Sequence, residues 1–68
     1  ADGEIWNSGG LYYCAQQIRL DNGDTLVVSK DNITTITGRV NVKYIEKGIN
    51  EFCSPYIDCE IIKIKKID

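Results

Sequence analysis

The sequence predicts an all-β domain, a small five-stranded antiparallel barrel stapled by a disulfide and carrying little or no helix. Three observations support this. Asp21-Asn22-Gly23-Asp24 lies between two strand-like runs, and Asn-Gly suits the central positions of a two-residue type I′ turn, so it marks a β-hairpin. Apolar and polar residues alternate in several segments, and no stretch of helical length repeats apolar groups at three- and four-residue spacing. Valine, isoleucine, threonine and tyrosine dominate, and these residues suit a pleated, half-buried surface.

The elements follow in order. Residues 4–7 read as a short first strand, and Ser8-Gly9-Gly10 supplies a turn or bulge. Residues 11–20 form a second strand with Tyr12, Cys14, Gln16, Ile18 and Leu20 on one face; Gln16 is the exception there and fits a position at the barrel rim. After the Asn22-Gly23 turn, residues 25–29 form a third strand. Residues 30–37 connect the two halves. Their β-branched run from Ile33 to Thr37 is poor in a helix, so irregular chain or one short turn is expected. Residues 39–46 are a fourth strand, with Val40, Val42 and Tyr44 inward and Arg39, Asn41 and Lys43 outward. Residues 47–55 are a loop and residues 56–67 the fifth strand. That strand changes phase: Ile57, Cys59 and Ile61 share one face, Ile62 and Ile64 the other. A bulge near Ile61-Ile62 restores a single inward face, as does burial on both sides. Lys63, Lys65 and Lys66 protect the sheet edge. Five short strands with close turns fit an OB-like barrel whose usual helix is reduced to a turn.

A chain of 68 residues makes one domain, residues 1–68. A core this small commonly needs a disulfide, a metal or a partner. Three cysteines favour the first, and the absence of histidine weakens the second. Cysteine at this density points to an oxidising compartment. An odd count leaves one thiol buried or free to pair between chains. No apolar run approaches the ~20 residues that span a membrane. The net charge of −2 provides no bulk attraction to nucleic acid or anionic lipid.

Several features together resemble a known group. Cys14 stands before the Asp21-Asn22-Gly23 turn, which a threonine-aliphatic strand follows. Then come Gly38-Arg39-Val40-Asn41-Val42-Lys43-Tyr44, a loop cysteine at Cys53, and Glu60-Ile61-Ile62-Lys63-Ile64 in the closing strand. This pattern resembles small secreted or lipid-anchored bacterial domains of unknown function with an OB-like β-barrel. The likeness spans roughly residues 3–67. Between the third and fourth strands the group has a proline-containing apolar segment, where this chain has Asp31-Asn32-Ile33-Thr34. The resemblance implies a fold, a secreted, periplasmic or outer-membrane-associated location, and attachment through a lipid anchor upstream of residue 1. It implies no activity.

The resemblance also implies that Cys14 pairs with Cys53, leaving Cys59 buried and reduced. The residues agree: Cys59 is in phase with Ile57 and Ile61, and Cys53 lies in a loop free to approach the second strand. Cys14–Cys59 and Cys53–Cys59 remain as rivals.

Catalysis by serine or cysteine with a histidine base is excluded, because the chain has no histidine. Asp21, Asp24 and Asp31 are explained by turn chemistry rather than calcium. The three cysteines lack the paired short spacings of zinc modules, so no metal or other cofactor is expected. Asn32-Ile33-Thr34 is an incidental sequon. Among the aromatics, Trp6, Tyr12 and Tyr44 are assigned to the core; Tyr13 and Tyr56 are the pair left to face a ligand. The function is therefore open. The expectation is a non-enzymatic interaction or structural module with a protein or glycan partner. A glycan-binding, ring-forming domain like toxin B-subunits is the alternative. A single-stranded oligonucleotide binder is disfavoured by charge.

Overall fold

A computed structural model of the chain describes residues 1–7 and 14–67. Its strands are β1 (Asp2–Asn7), β2 (Gln16–Leu20), β3 (Thr25–Val27), β4 (Arg39–Ile49) and β5 (Ile57–Lys66), with one 3₁₀ turn at Lys30–Asn32. They close into a barrel in the order β1-β2-β3-β5-β4. Each antiparallel neighbour reverses strand direction, so an odd number of strands cannot close on antiparallel pairs alone. The parallel pair is β3–β5, matching Leu26 with Ile57 and Val27 with Asp58; the other four are antiparallel. The chain is all-β and OB-like in strand order, as the alternation predicts.

The β2–β3 hairpin forms where expected but with a different turn. Asn22 does not take a positive φ; Gly23 alone does, at 100°. The Gly23 amide donates to the Leu20 carbonyl, and the Leu20 amide to the Asp24 carbonyl. The loop therefore has three residues, a tight turn followed by a left-handed glycine. Its register explains the change. A two-residue loop would set Asp21 opposite Asp24 and Leu26 opposite Arg19. The observed loop pairs Ile18 with Leu26 and Arg19 with Thr25, so Leu26 and Val28 enter the core. A one-residue slip would turn both outward. Asp21 is freed to accept both guanidinium nitrogens of Arg39, at 2.7 and 2.6 Å.

The core consists of Ile5, Ile18, Leu20, Leu26, Val28, Val40, Val42, Ile57 and Cys59, with Ile36, Tyr44, Ile61 and Ile64 packed against it. In β1, Gly3 and Ile5 are buried and Glu4 and Trp6 exposed. Trp6 is thus on the outer side, a correction to its assignment as core: Ile5 claims the inward phase of that short strand. A Cβ on Gly3 would stand 2.7 Å from the Arg19 carbonyl oxygen, so β1 and β2 approach closely there. Val40, Val42 and Tyr44 face inward as expected. The fifth strand resolves its phase change with a bulge: Lys43 pairs with Lys63 but Tyr44 pairs with Ile61. Ile62 is the skipped residue, and Ile61 and Ile64 both reach the core.

Several boundaries differ from expectation: β1 starts at Asp2 and β5 spans Ile57–Lys66. β4 runs on to Ile49, because a second irregularity between Glu46 and Gly48 keeps it paired with β5. The described part of β2 begins at Gln16, with Cys14 and Ala15 in a turn before it. β3 ends at Val27. Gln16 is buried at 3% exposure, yet its amide is fully used. Its Nε2 donates to Asn7 Oδ1 and the Thr34 carbonyl, and its Oε1 accepts from the Thr34 amide. The glutamine thus fastens the irregular 33–37 connection to the barrel, which an apolar residue could not do.

Candidate functional site

The loop from residue 50 to residue 56 is built around one side chain. Asn50 is buried, and its Oδ1 accepts from the Phe52 and Cys53 amides at 2.8 and 2.9 Å. Its Nδ2 donates to Asp58 Oδ1 at 2.7 Å, locking the loop to the start of β5. The Tyr56 amide donates to the Cys53 carbonyl, and the Asn50 amide to the Tyr56 carbonyl, which closes the loop on itself. Asparagine suits this position because its short side chain mimics a backbone turn. The Ser54–Pro55 peptide is cis.

This loop is covalently tied to the segment before β2. Cys14 and Cys53 form the disulfide, with Cα atoms 6.1 Å apart, and Cys59 is a free, buried thiol. The pairing implied by the resemblance is therefore present, and both rivals are excluded. The bridge also dismantles the three-thiolate set that could have held zinc. Among the described residues, no three His, Cys, Asp or Glu side chains come together as a metal site.

The bridge joins the segment before β2 to the loop before β5. Gln17 and Val27 alternate with the core residues Ile18, Leu26 and Val28, so they point away from the barrel interior. Both are nevertheless buried, at 6% and 3% exposure. Cys53 is buried too, outside the main core. Gln17 Nε2 donates to the Cys14 carbonyl at 3.0 Å, while its Oε1 is buried without a partner. In OB-folds the β2–β3 side and the loops after β1 and β4 form the usual ligand surface. Here Cys14, just before β2, is joined to Cys53, in the loop after β4.

Of the two aromatic residues expected to face a ligand, Tyr56 is half-buried in the loop beside the disulfide. Tyr13, like Tyr12, lies outside the described residues. Phe52 at the same loop is exposed. The chain's exposed tryptophan is held by its neighbours. Trp6 Nε1 donates to Glu4 at 3.1 Å, and the Arg19 guanidinium stacks 3.9 Å from the ring centre. Cross-strand pairing of Glu4 with Arg19 assembles the three.

Beyond Val27 the parallel strands separate, leaving an open groove of about 450 Å³. Ser29, Asp31 and Asn32 line one side, and Asp58, Cys59 and Glu60 the other. Cys59 Sγ donates to the Val27 carbonyl. Burial, then the charge of Asp58, pushes its thiol up to about 11. It stays protonated at neutral pH and is a poor nucleophile. Tyr44 is also shifted upward, by burial first and then by Glu46. Asp21 is held below its ordinary range by hydrogen bonding to Arg39. These shifts have structural causes, and none creates an activated acid, base or nucleophile in the groove.

The outer side of the β4–β5 ribbon has a different character. Residues paired across a sheet share a side, so Asn41 lies with Lys65, Lys43 with Lys63 and Ile45 with Glu60. Because Ile61 and Ile64 both pack inward, the two residues between them, Ile62 and Lys63, turn outward. Ile45 and Ile62 are 53% and 50% exposed. The signal for this surface in the sequence is the outward phase of Lys43 together with the closing lysines, which edge protection explains only one strand at a time. Among the described residues no helix is long and apolar enough to cross a membrane. No family model matches the chain, and no curated protein or solved structure matches it either.

Proposed function

We propose that this chain is a secreted or periplasmic, non-enzymatic interaction module that binds through the outside of its barrel. One observation carries the reading: the Cys14–Cys53 bridge ties the segment before β2 to the loop before β5, and the outward residues Gln17 and Val27 of β2 and β3 are buried. Burial of Gln17 and Val27 takes the centre of the ordinary OB ligand surface out of reach of a base or sugar. The disulfide also suits an oxidising compartment. The resemblance to secreted OB-like bacterial domains agrees with both points and with the strand order.

The glycan-binding alternative keeps one specific support. Trp6 is exposed and pre-oriented by Glu4 and Arg19, and such a ring can stack against a sugar face. Trp6 is the chain's one tryptophan, so its fluorescence reports both questions. Titration of the oxidised protein with single-stranded oligonucleotides and with mixed oligosaccharides is expected to leave the emission unchanged. Micromolar quenching by an oligonucleotide, weakening steeply with salt, would establish the nucleic-acid reading instead. Quenching by a saccharide that is abolished in Trp6→Ala would establish the glycan reading. In protein recovered from the periplasm, one alkylatable thiol is expected after unfolding, and three would refute the compartment.

A further inference from the structure

We propose that the outer side of the β4–β5 ribbon is a docking surface for an anionic lipid bilayer; this names the partner of the interaction module and rests on that reading. The chain carries a net charge of −2, and Asp2, bonded to Asn41, borders this surface on the β1 side. Lys43, Lys63 and Lys65 share this side of the ribbon, and Glu60 is the acid paired into it. Lys43 and Lys63 face each other directly, an arrangement that destabilises a sheet unless an anion lies over it.

The isoleucines are the second observation. The bulge between Lys43 and Tyr44 sends Ile62 outward, next along the ribbon from Ile45, and both are half exposed. Bulges re-aim side chains, and this one adds an isoleucine to a lysine-bearing surface. The resulting patch has two aliphatic side chains framed by three lysines. Among its members there is no aromatic ring. Protein interfaces centre on aromatic and arginine anchors set in pockets, which this surface lacks. A flat anionic layer needs no pocket. Isoleucines can enter the acyl boundary while lysine stems lie along it and their ammonium groups reach the headgroups. A second copy of the chain docked symmetrically would set lysine against lysine.

The test is partition of the oxidised protein onto vesicles of phosphatidylcholine alone and of phosphatidylcholine with phosphatidylglycerol, by co-sedimentation at low and physiological salt. Three lysines near an anionic surface are expected to raise the partition coefficient roughly hundredfold over neutral vesicles. The preference should shrink as salt rises. Lys43→Glu with Lys63→Glu should abolish it, and Lys43→Arg with Lys63→Arg should keep it. Ile45→Ser with Ile62→Ser should lower partition about tenfold on anionic vesicles. These positions are exposed, so circular dichroism and the retained disulfide verify the fold of each variant. Equal partition onto the two vesicle types overturns the proposal. So does an isoleucine variant that binds like the parent, since that leaves only diffuse charge attraction. Failure to bind vesicles alongside saturable binding of an acidic polypeptide overturns the lipid assignment while preserving the interaction reading.

Discussion

Replacing Cys14 and Cys53 by serine tests what the bridge contributes to so small a barrel. The two residues are 39 apart in sequence. On the chain-entropy model, closing a loop of that length stabilises the fold by about 4 kcal/mol at room temperature. A chain of this length has only about 3–10 kcal/mol in total, at 0.05–0.15 kcal/mol per residue. The loss should therefore lower the melting temperature by roughly 25–30 °C, given an unfolding entropy near 2.1 cal/mol/K per residue. The native loop has its own fastenings: Asn50 still holds the Cys53 amide, and Gln17 still reaches the carbonyl at position 14. Most of the effect should thus appear in the unfolded chain, as a larger urea m value beside the lower midpoint. Urea unfolding followed by Trp6 fluorescence measures both. A loss below about 1.5 kcal/mol with an unchanged m value would refute the unfolded-state argument. Hydrogen exchange supplies a second check. The Val28 amide, bonded to the Gln16 carbonyl two residues from Cys14, should lose more protection than the Val42 amide in β4.

Other outcomes follow from the same structure. Gly3→Ala places a methyl 2.7 Å from the Arg19 carbonyl, with backbone fixed on both sides, and should cost about 1–3 kcal/mol in urea unfolding. Asn50→Ala leaves the Phe52 and Cys53 amides without their acceptor and should cost about 2–3 kcal/mol. Asn50→Asp restores those acceptors but sets a carboxylate against Asp58, so it should recover only part of the loss. The Cys59 thiol gives a pH signature: its ordinary value is 9.0 and burial moves it to about 11. Between those values the unfolded chain releases its proton first. Stability should therefore be flat below pH 9 and fall on the order of 2 kcal/mol by pH 11. Cys59→Ala should remove the loss that begins at pH 9, leaving a later one from Tyr44, whose hydroxyl burial also raises.

The fold was legible wherever local pattern and core demand agreed. Val40, Val42 and Tyr44 alternate cleanly, and they face inward. The bulge near Ile62 was legible too, because Ile57, Cys59, Ile61 and Ile64 can share one side only if a residue is skipped. The turn at Asn22-Gly23 was legible in place but not in type. Its dipeptide signal favours a two-residue loop, and the register needed to bury Leu26 and Val28 overrides it. Trp6 was misassigned because size suggested burial, whereas its phase with Glu4 in a strand anchored by Gly3 and Ile5 puts it outside. Gln16 looked like a blemish. Only the fold brings Thr34 across to use its amide.

The candidate site was less legible, for a reason specific to barrels. Alternation distinguishes inward from outward but says nothing of whether a loop lies over the outside. Gln17 and Val27 point outward, yet they are among the most buried residues outside the core. The hint available in the sequence was the cysteine pairing. A Cys14–Cys53 bridge must bring the segment before β2 to the loop before β5, and β3 runs between those two strands. The burial of Gln17 and Val27 has a consequence for binding. On β4–β5, by contrast, the outer residues Lys43, Ile45, Ile62 and Lys63 are exposed. Lys43 and Lys63 lie opposed there beside Ile45 and Ile62, a combination that costs the isolated chain and is relieved by a surface both anionic and apolar.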